Sequence, residues 1–506
     1  MQQMSEFPEG WVTCKIGNLT LVKGGKRIPK GHSFSEKKTS HPYVRVTDFE
    51  KHSVSTYNLK YLDEKTYNAI SNYTISKDDI YISIAGSIGK VGSVPDFLDG
   101  ANLTENAAKI CNISHINKKY LIFLLSTQYC TEQMDDKTIS TNQPKLALYK
   151  IRQIQIPLAP LAEQHRIVAA IEALFARLDA ASARLERVPG ILKQFRQAVL
   201  ATACDGGLTE DWRDNHKSVD MAQNLLQKIL AERKLRYNEK GKNASRPLKN
   251  LEKVQIKCKD LPKLPSEWIW ATWDDLVDWI TYGFTRPMPH QDEGIPIVTA
   301  KNIQDNKIDF EHTHFTSKPD FDSLSDKDRP KKGEILLTKD GSIGRAAIVE
   351  TDQPFCINQS VALLRFGGVT ADAQFLLKVI ESKFTQDLIQ DGAKGTAIKH
   401  ISITNFGKFP VPLPPLSEQH EIVRRVDALF ALADRIEAEV AAAREKTEMM
   451  RQSILAQAFS GRLVPTEAEL ARREGREYEP ASVLLERIHP EKKEKTGRRG
   501  VQSTLV

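Results

Sequence analysis

The segment PLAPLAEQHRIV, residues 157–168, recurs as PLPPLSEQHEIV at residues 412–423. The second copy begins 255 residues after the first, about half of the 506-residue chain. Proline suits the first turn of a helix because its missing N–H would have no partner there. Glu163 and Glu418 then lie near the positive end of the helix dipole. Each copy therefore predicts the start of a helix.

Four further pairs of segments recur in the same order, and their offsets stay between 255 and 259 residues. The pairs are FPEGWVTCKIGNL from Phe7 with LPSEWIWATWDDL from Leu264, AGSIGKVGSV (85–94) with DGSIGRAAIV (340–349), RQAVLATACDGGL (196–208) with RQSILAQAFSGRL (451–463), and AQNLLQKI (222–229) with ASVLLERI (481–488). Small loop insertions explain the drift in offset. The chain is predicted to be an internal duplication.

Each half begins with short β-type runs, such as DDIYISIAG and GEILLTKDG, that are separated by Gly, Pro and Asn turns. A helical pattern follows. We expect a mixed α/β chain in which two α+β heads are joined by two long coiled-coil helices and related by a pseudo-twofold axis. The expected segments are the first head (1–156), the first spacer (157–208), a short helix and basic linker (209–263), the second head (264–411), the second spacer (412–463) and a tail with a short helix (464–506).

Apolar residues recur along both spacers in alternating steps of four and three, which is typical of a coiled-coil seam. The seam positions are Ile167, Ile171, Leu174, Leu178, Ala181, Leu185, Val188, Leu192, Phe195 and Val199 in the first spacer, and Ile422, Val426, Leu429, Ala433, Ile436, Val440, Ala443, Thr447, Met450 and Ile454 in the second. The two helices are expected to pack on each other; alternatively, each stripe packs on its own head. The heptads leave the relative direction of the helices open.

Pro189 interrupts the first spacer within the sequence VPG. Proline inside a helix removes a backbone hydrogen bond and clashes with the preceding turn, so a kink or short break is expected there.

The composition excludes several classes of protein. With 40% hydrophobic and 27% charged residues, the chain is ordinary for a soluble protein with packed cores. Its apolar runs are shorter than the ~18 residues of a membrane span, and its first residues do not resemble a secretory signal. Six scattered cysteines without a C-x-x-C pair favour a reducing cytoplasm.

The net charge of +7 is concentrated in one stretch. Residues 227–263 contain twelve Lys or Arg against four Asp or Glu, so the remainder is nearly neutral. Any affinity for nucleic acid must therefore come from local patches. The stretch itself is expected to be a solvated linker, and whether it touches DNA is left open.

No catalytic or metal site is predicted. Motifs of nucleases, adenine methyltransferases, serine hydrolases and zinc proteases are missing, and His312 and His314 are expected on the surface. The segment GSIGK (86–90) lacks the spacing of a phosphate loop, and its partner GSIGR ends in Arg345. It is either a glycine turn between two strands or a turn from which Lys90 and Arg345 contact DNA phosphates.

Each head contains cationic or amide side chains of the kind that contact DNA. The candidates are Lys23, Lys26, Arg27, Arg45, Lys51 and Lys90 in the first head, and Arg286, Lys301, Asn302, Lys339 and Arg345 in the second. The loops of the two heads differ in sequence although their frameworks match. Two different specificities on one duplicated scaffold would produce this pattern.

The repeated P-L-x-x-L-x-E-Q blocks, the glycine turns, the RQ…L helix ends and GRLVP together resemble the specificity (S) subunits of type I restriction-modification systems, over nearly the whole chain. The resemblance implies that each head is a target-recognition domain that reads one half of a split, asymmetric DNA site. It also implies a noncatalytic subunit that directs adenine-N6 methylation and ATP-dependent cleavage. Two methyltransferase (M) subunits and further restriction (R) subunits would then be its partners. S-adenosylmethionine, ATP and Mg would be bound by those partners, with no cofactor on this chain.

The spacers are expected to set the gap between the half-sites and to dock the partners. A helix of roughly 34 residues spans about 50 Å, more than one ~34 Å turn of B-DNA. The spacer and docking candidates are Glu163, Gln164, Ile167, Ile171, Leu174, Leu178, Glu418, Gln419, Ile422, Val426 and Leu429. Two other functions remain open at this point: a free-standing bipartite DNA-binding regulator, and a coiled-coil scaffold with no DNA role.

Overall fold

The computed structural model describes residues 7–50, 52–136, 144–216, 221–240, 261–393, 395 and 399–488. The chain forms two compact units. The first unit comprises Met1–Glu186 and Ala441–Val506, and the second comprises Arg187–Val440. Each unit therefore combines one head with parts of both spacers.

The first unit contains twelve described strands and, besides the spacers, several α-helices, of which one covers residues 481–488. The strands are Val12–Lys15, Leu21–Gly24, Pro42–Val44, Phe49–Glu50, Ser53–Val54, Lys60–Tyr61, Thr74–Ile75, Ile80–Ser83, Val91–Ser93, Ala101–Leu103, Ala107–Cys111 and Gln155–Leu158. The other α-helices are Ile16–Leu19, Glu64–Ile70, Lys118–Leu125, Gln128–Asp136, Leu148–Arg152 and Glu467–Glu474.

The second unit repeats this plan. Its described strands are Ile269–Thr272, Trp279–Tyr282, Ile295–Val298, Ile303–Gln304, Lys307–Ile308, His314–Thr316, Ile335–Thr338, Ala346–Ile348, Cys356–Ile357, Val361–Arg365 and Pro410–Leu413. Its described helices outside the spacers are Glu210–Asn215, Ala222–Lys240, Trp273–Leu276, Lys318–Asp322, Ala373–Glu381, Lys383–Asp391 and Ile403–Phe406.

Sheet topology confirms the duplication. In each head a four-stranded antiparallel sheet has the same order, which is Leu21–Gly24, Ala107–Cys111, Ile80–Ser83, Val91–Ser93 in the first and Trp279–Tyr282, Val361–Arg365, Ile335–Thr338, Ala346–Ile348 in the second. A second sheet in each head contains one parallel pair, Pro42–Val44 with Ala101–Leu103 and Ile295–Val298 with Cys356–Ile357. The central strands are buried apolar runs such as ILLT at Ile335–Thr338, as expected for strands covered on both faces.

The spacers are helical, and the first is interrupted at the predicted place. It consists of the helices Leu161–Leu185 and Val188–Asp205. Pro189 lies in the first turn of the second of these helices, where a proline costs no hydrogen bond. The predicted break is therefore confirmed. The second spacer is a single helix, Leu416–Phe459.

The spacer segments within the first unit run antiparallel. Arg451 forms an ion pair with Asp179, and the Arg444 guanidinium donates to the Leu185 carbonyl at 3.1 Å. Residue numbers increase along one helix in the direction in which they decrease along the other. The two helices are therefore antiparallel, which the heptads alone did not determine.

The second unit contains the same arrangement. Arg196, the repeat partner of Arg451, forms an ion pair with Asp434 at 2.6 Å, and Asp434 is the repeat partner of Asp179. Arg425 contacts Asp211 at 2.6 Å, so these segments are antiparallel as well. The duplicated arginine and aspartate thus make the same contact in each unit.

The seam residues behave largely as predicted. All of them are buried or half-buried except Ala181 and Met450, which are exposed. Ile167 and Ile171 join the apolar core of the first head, and Ile422 and Val426 join that of the second. Both expected modes of packing therefore occur, because the first turns of each spacer pack on their own head and later turns pack on the other helix.

A buried glutamate anchors the start of the first spacer. The Glu163 carboxylate accepts hydrogen bonds from the Trp11 indole at 3.0 Å and from the Glu467 backbone N–H at 2.8 Å. Burial raises the pKa of the Glu163 carboxyl above its usual value, although these donors oppose the rise. The spacer, the first head and the tail segment consequently meet at one carboxylate.

Glu418 occupies the equivalent place in the second unit. Its carboxylate accepts from the Trp268 indole at 2.8 Å, from the Thr209 hydroxyl at 2.7 Å and from the Arg213 guanidinium at 2.5 Å. The side chain is 1% exposed. A charge this deeply buried is tolerated only because it is fully paired.

The glutamine that follows each glutamate makes a second anchor. Gln164 and Gln419 each donate to the carbonyl of the residue five positions earlier, at 2.8 and 2.9 Å. Each also accepts a backbone N–H from the head: that of Asn117 at 3.0 Å in the first unit and that of Asp372 at 2.7 Å in the second. The repeated Glu-Gln pair therefore ties each helix start to its head.

Replacement of Glu418 by alanine is expected to lower the free energy of unfolding by about 3 kcal/mol or more, because it leaves the half-buried Arg213 guanidinium and the buried Trp268 indole without the carboxylate that they share. Calorimetric or denaturant unfolding of the purified chain measures this loss. Glu439→Ala, which removes an exposed glutamate from the same helix, should change the stability by less than about 0.5 kcal/mol. Equal losses in the two variants would contradict the anchoring role.

Candidate nucleic-acid interface

Each head presents a glycine turn between two antiparallel strands. Gly89 and Gly344 have φ of +86° and +87°, a region that favours glycine. A side chain at Gly344 would meet the Gln386 amide oxygen at 2.7 Å. The interpretation of GSIGK and GSIGR as hairpin turns is confirmed.

A hydroxyl at the end of the preceding strand stabilises each turn. The Ser83 hydroxyl accepts the Lys90 backbone N–H at 2.8 Å, and the Thr338 hydroxyl accepts that of Arg345 at 2.9 Å. The side chains of Lys90 and Arg345 are exposed. Neither has an ion-pair partner among the described residues. Each head therefore offers one uncompensated cation at the same point of a rigid turn.

A second glycine lies close to each turn. The Gly25 N–H donates to the Ala107 carbonyl at 3.0 Å, and the Gly283 N–H donates to the Val361 carbonyl at 3.3 Å. A Cβ at Gly25 would lie 2.1 Å from the Thr104 carbonyl oxygen. Only glycine permits this approach of the two backbones, which brings the KGGKR segment beside residues 104–106.

Arg27 lies in that segment and is paired with an acidic residue. Its Nε lies 2.6 Å from Oε1 of Glu105. Hydrogen bonding and charge from Glu105 raise the pKa of the Arg27 guanidinium. Partial burial acts to raise the pKa of Glu105, but the hydrogen bonds from Arg27 and Thr104 outweigh it and leave that pKa below its usual value. The sequence search missed Glu105 because it sought cations and amides only.

The other candidates in the first head are divided between surface and framework. Lys23 is exposed on its strand, and the exposed Lys26 lies over the Tyr73 ring at 5.5 Å. Arg45 is half-buried and holds Asp48 through two hydrogen bonds, at 2.7 and 3.1 Å. The Arg45 side chain is therefore already engaged in stabilising the turn that follows it.

Asn302, one of the predicted DNA contacts, lies in the framework of the second head. It is 5% exposed. Its side-chain oxygen accepts from the backbone N–H and the hydroxyl of Thr299, at 3.0 and 2.8 Å, and its amide donates to the His312 carbonyl at 2.9 Å. Asp48 caps the equivalent turn of the first head. The sequence predicts a DNA contact from the residue type alone, whereas in the structure the Asn302 side chain closes the turn that begins at Thr299.

Lys339, another of the predicted DNA contacts, is also buried. It is 6% exposed. Its ammonium group lies 2.9 Å from a carboxylate oxygen of Asp340 and 5.2 Å from the centre of the Tyr282 ring. Contact with a phosphate would first require this lysine to leave its pair with Asp340.

Arg286 and Lys301 are exposed in the second head, and Arg286 donates to the Ser323 hydroxyl. Lys51 lies outside the described residues, as do residues 241–260 of the basic stretch. His312 and His314 are exposed, as predicted.

The docking candidates on the spacers are mostly buried in their own units. Glu163, Gln164, Ile167, Ile171, Leu178, Glu418, Gln419, Ile422 and Val426 are buried, and Leu174 and Leu429 are half-buried. They hold the spacers in place. A partner that docks on the spacers would contact the exposed residues between these positions.

Within the part of the chain that the structure describes, no group of three or more His, Cys, Asp or Glu is placed to hold a metal ion. None of the described helices combines the length and the apolar character of a membrane span.

Two stretches of the chain match one family model. A model described as the type I restriction modification DNA specificity domain matches residues 8–189 and 284–443, which is more than half of the chain. The chain belongs to the type I restriction-modification DNA specificity family. It is accordingly a specificity subunit, the DNA-recognition and noncatalytic component of such a system. Each of the two matched regions contains one copy of the glycine turn and one copy of the P-L-x-x-L-x-E-Q block.

Individual relatives agree over most of the chain. The type I restriction enzyme EcoBI specificity subunit of Escherichia coli is 28% identical, over 90% of this chain and 86% of its own. The EcoKI specificity subunit of E. coli K12 is 26% identical over 90% of both chains. The crystal structure of the HsdS subunit from Thermoanaerobacter tengcongensis has a TM-score of 0.52 at 19% identity, covering 91% of this chain and 99% of that one, and shares the fold.

Alanine at Lys90 or at Arg345 is expected to weaken binding of the assembled complex to DNA about equally for all sequences. Each loss of a phosphate contact should reduce the slope of log Kd against log salt by about 0.9. Fluorescence anisotropy over a series of salt concentrations measures both effects. Lys332→Ala is the matched control, because Lys332 is exposed but pairs with Asp352 at 3.1 Å. An unchanged slope for both turn variants would exclude the turns from the phosphate contacts.

Proposed function

We propose that this specificity subunit reads a bipartite, asymmetric DNA site, one half-site with each head, and directs adenine-N6 methylation and ATP-dependent cleavage by partner subunits. One observation carries the proposal. Two heads whose four-stranded antiparallel sheets have the same strand order present different side chains at equivalent surface positions, while their turn glycines and backbone contacts are retained.

Equivalent positions beside the turns illustrate the difference. The exposed Arg27 follows Gly25 by two residues, and the exposed Thr285 follows Gly283 by two. Glu105 stands where the second head has Gln359. Donors and acceptors on base edges are read by side chains of matching chemistry. Two heads with different side chains on one scaffold therefore suit two different half-sites.

The partners follow from the relatives' role as specificity subunits of type I restriction enzymes. We propose two M subunits, because a duplicated chain presents two similar surfaces to two copies of one partner, and R subunits that join through the complex. Double-stranded DNA is the ligand of this chain itself. S-adenosylmethionine, ATP and Mg are then the cofactors of the partner subunits. We propose a cytoplasmic location for the complex, since free thiols such as those of Cys14 and Cys130 persist in a reducing compartment.

The free-standing regulator is the second candidate, and nothing in the chain favours it over the specificity subunit. A spacer as long as Leu416–Phe459, 44 residues, extends about 65 Å at 1.5 Å per residue. A regulator needs only to hold two heads apart, whereas docking of partners also uses the outward face of such a helix.

Modified-base sequencing of DNA tests the proposal in cells that express the chain with an M subunit encoded beside it. We expect N6-methyladenine in a bipartite motif with a constant unspecified gap. An M subunit expressed alone is the control and should leave that motif unmodified. Unmodified DNA despite an assembled, active complex would overturn the proposal, and methylation at a continuous palindrome would overturn the two-headed reading.

Removal of one heptad from the spacers is expected to shorten the gap in the motif by about three base pairs, because seven helical residues span about 10 Å and base pairs stack about 3.4 Å apart. Residues 178–184 and the facing residues 446–452 are removed together, so that the pair of Asp179 and Arg451 is lost as a whole. The methylated motif gives the gap directly. Reinsertion of seven residues of unrelated heptad sequence at both places should restore it. An unchanged gap would show that the spacers do not set the distance.

A further inference from the structure

Arg27 and Glu105 form an ion pair at the surface of the first head, and their exposures differ. The side chain of Arg27 is 77% exposed and that of Glu105 is 23% exposed. Glu105 uses Oε1 for Arg27, at 2.6 Å, and its Oε2 accepts the Thr104 hydroxyl at 3.0 Å. The carboxylate is therefore oriented by two donors, and it orients the guanidinium in turn.

The backbone beneath the pair is held in place on both sides. The Gly25 N–H donates to the Ala107 carbonyl at 3.0 Å, and the Lys26 N–H donates to the Leu103 carbonyl at 2.8 Å. These bonds place Arg27 opposite Glu105 before any ligand arrives. Recognition groups with locked supports discriminate best because little ordering remains to be done on binding.

The pair borders a concave surface rather than a flat one. A cavity of about 380 Å³ is lined by Arg27, Ile28, Phe34, Tyr43, Arg45, Val46, Thr47, Thr104, Glu105 and Asn106. The Asn106 carbonyl accepts the Ile84 backbone N–H at 2.8 Å, at the base of the glycine turn that ends in Lys90. The pair and the exposed lysine thus border the same part of the head.

A carboxylate is an unusual group to place among these cations. Lys23, Lys26 and Lys30 surround Arg27 in the sequence and are exposed, and each would favour a phosphate. Glu105 would repel one. Since a carboxylate only accepts hydrogen bonds, the groups on the major-groove edges that suit it are the amino groups of cytosine and adenine.

We propose that Arg27 and Glu105 together read one G·C base pair in the half-site of the first head. The Arg27 guanidinium donates to O6 and N7 of guanine, and the Glu105 carboxylate accepts from N4 of the paired cytosine. The inference rests on the proposed function and deepens it, since it assigns two specificity residues to one half-site. The second head, with Thr285 and Gln359 at these positions, lacks both charges and reads a different pair there.

Modified-base sequencing of the assembled complex with Glu105→Gln, and separately with Arg27→Gln, tests the assignment. Both variants are expected to relax the same single position of one half-site, where the unaltered complex requires a G·C pair. The preference at that position should fall roughly ten- to a hundred-fold, and the other half-site should remain unchanged. The other half-site thereby serves as a control within each experiment.

Asp352→Asn is the matched external control. It removes one exposed carboxylate from an ion pair with Lys332 in the second head, so it changes the net charge as Glu105→Gln does. Both half-sites should stay as they were. A uniform fall in methylation, relaxation of an A·T pair, or relaxation of different positions in the two variants would overturn the assignment. An unaltered complex that yields no bipartite motif would overturn the proposed function as well, which distinguishes the two failures.

Discussion

A buried carboxylate at the start of a helix is the interaction on which each unit depends. Glu163 and Glu418 enter the interior as charges and must recover there the hydrogen bonds that water provided. Each recovers one from a tryptophan of its own head, Trp11 or Trp268. The remaining donors come from a segment that follows a spacer: Glu467 in the first unit, and Thr209 and Arg213 in the second. Head, spacer and following segment therefore cannot separate without leaving a charge unpaired.

The duplication supplies an internal comparison between the two heads. Groups that fold the head recur with the same contacts: Gly25 and Gly283, Ser83 and Thr338, Gln164 and Gln419. Groups that the fold does not need are free to differ, and they differ beside the turns. Comparison of the two heads within one chain therefore distinguishes the residues that maintain the fold from those that form the proposed recognition surface.

Much of this architecture could be predicted because it is encoded in regular patterns. The five repeated blocks indicate the duplication, the heptads indicate the helical pair, and Pro189 marks the break, since each reflects local geometry. The roles of Asn302 and Lys339 could not be predicted in the same way, because residue type does not reveal burial. Asn302 closes a turn with Thr299, and Lys339 is neutralised by the carboxylate beside it. The repetition of Trp11 and Trp268 in the two halves indicates that these residues have a common role. Only the fold shows that this role is to donate a hydrogen bond to Glu163 or Glu418.

The modest charge of the chain also has a consequence for recognition. Among the candidates in the described residues, Arg27, Arg45 and Lys339 are already paired with carboxylates. We therefore expect phosphate contacts, which supply most of the sequence-independent affinity for DNA, to come from exposed candidates without a carboxylate partner, such as Lys90 and Arg345. We expect such a subunit to bind arbitrary DNA weakly by itself and to gain affinity when the proposed partners contribute contacts of their own. Weak nonspecific binding favours discrimination between DNA sites, because a protein with little electrostatic affinity dissociates quickly from incorrect sites. Base-edge contacts made by the two heads would then determine which site is bound.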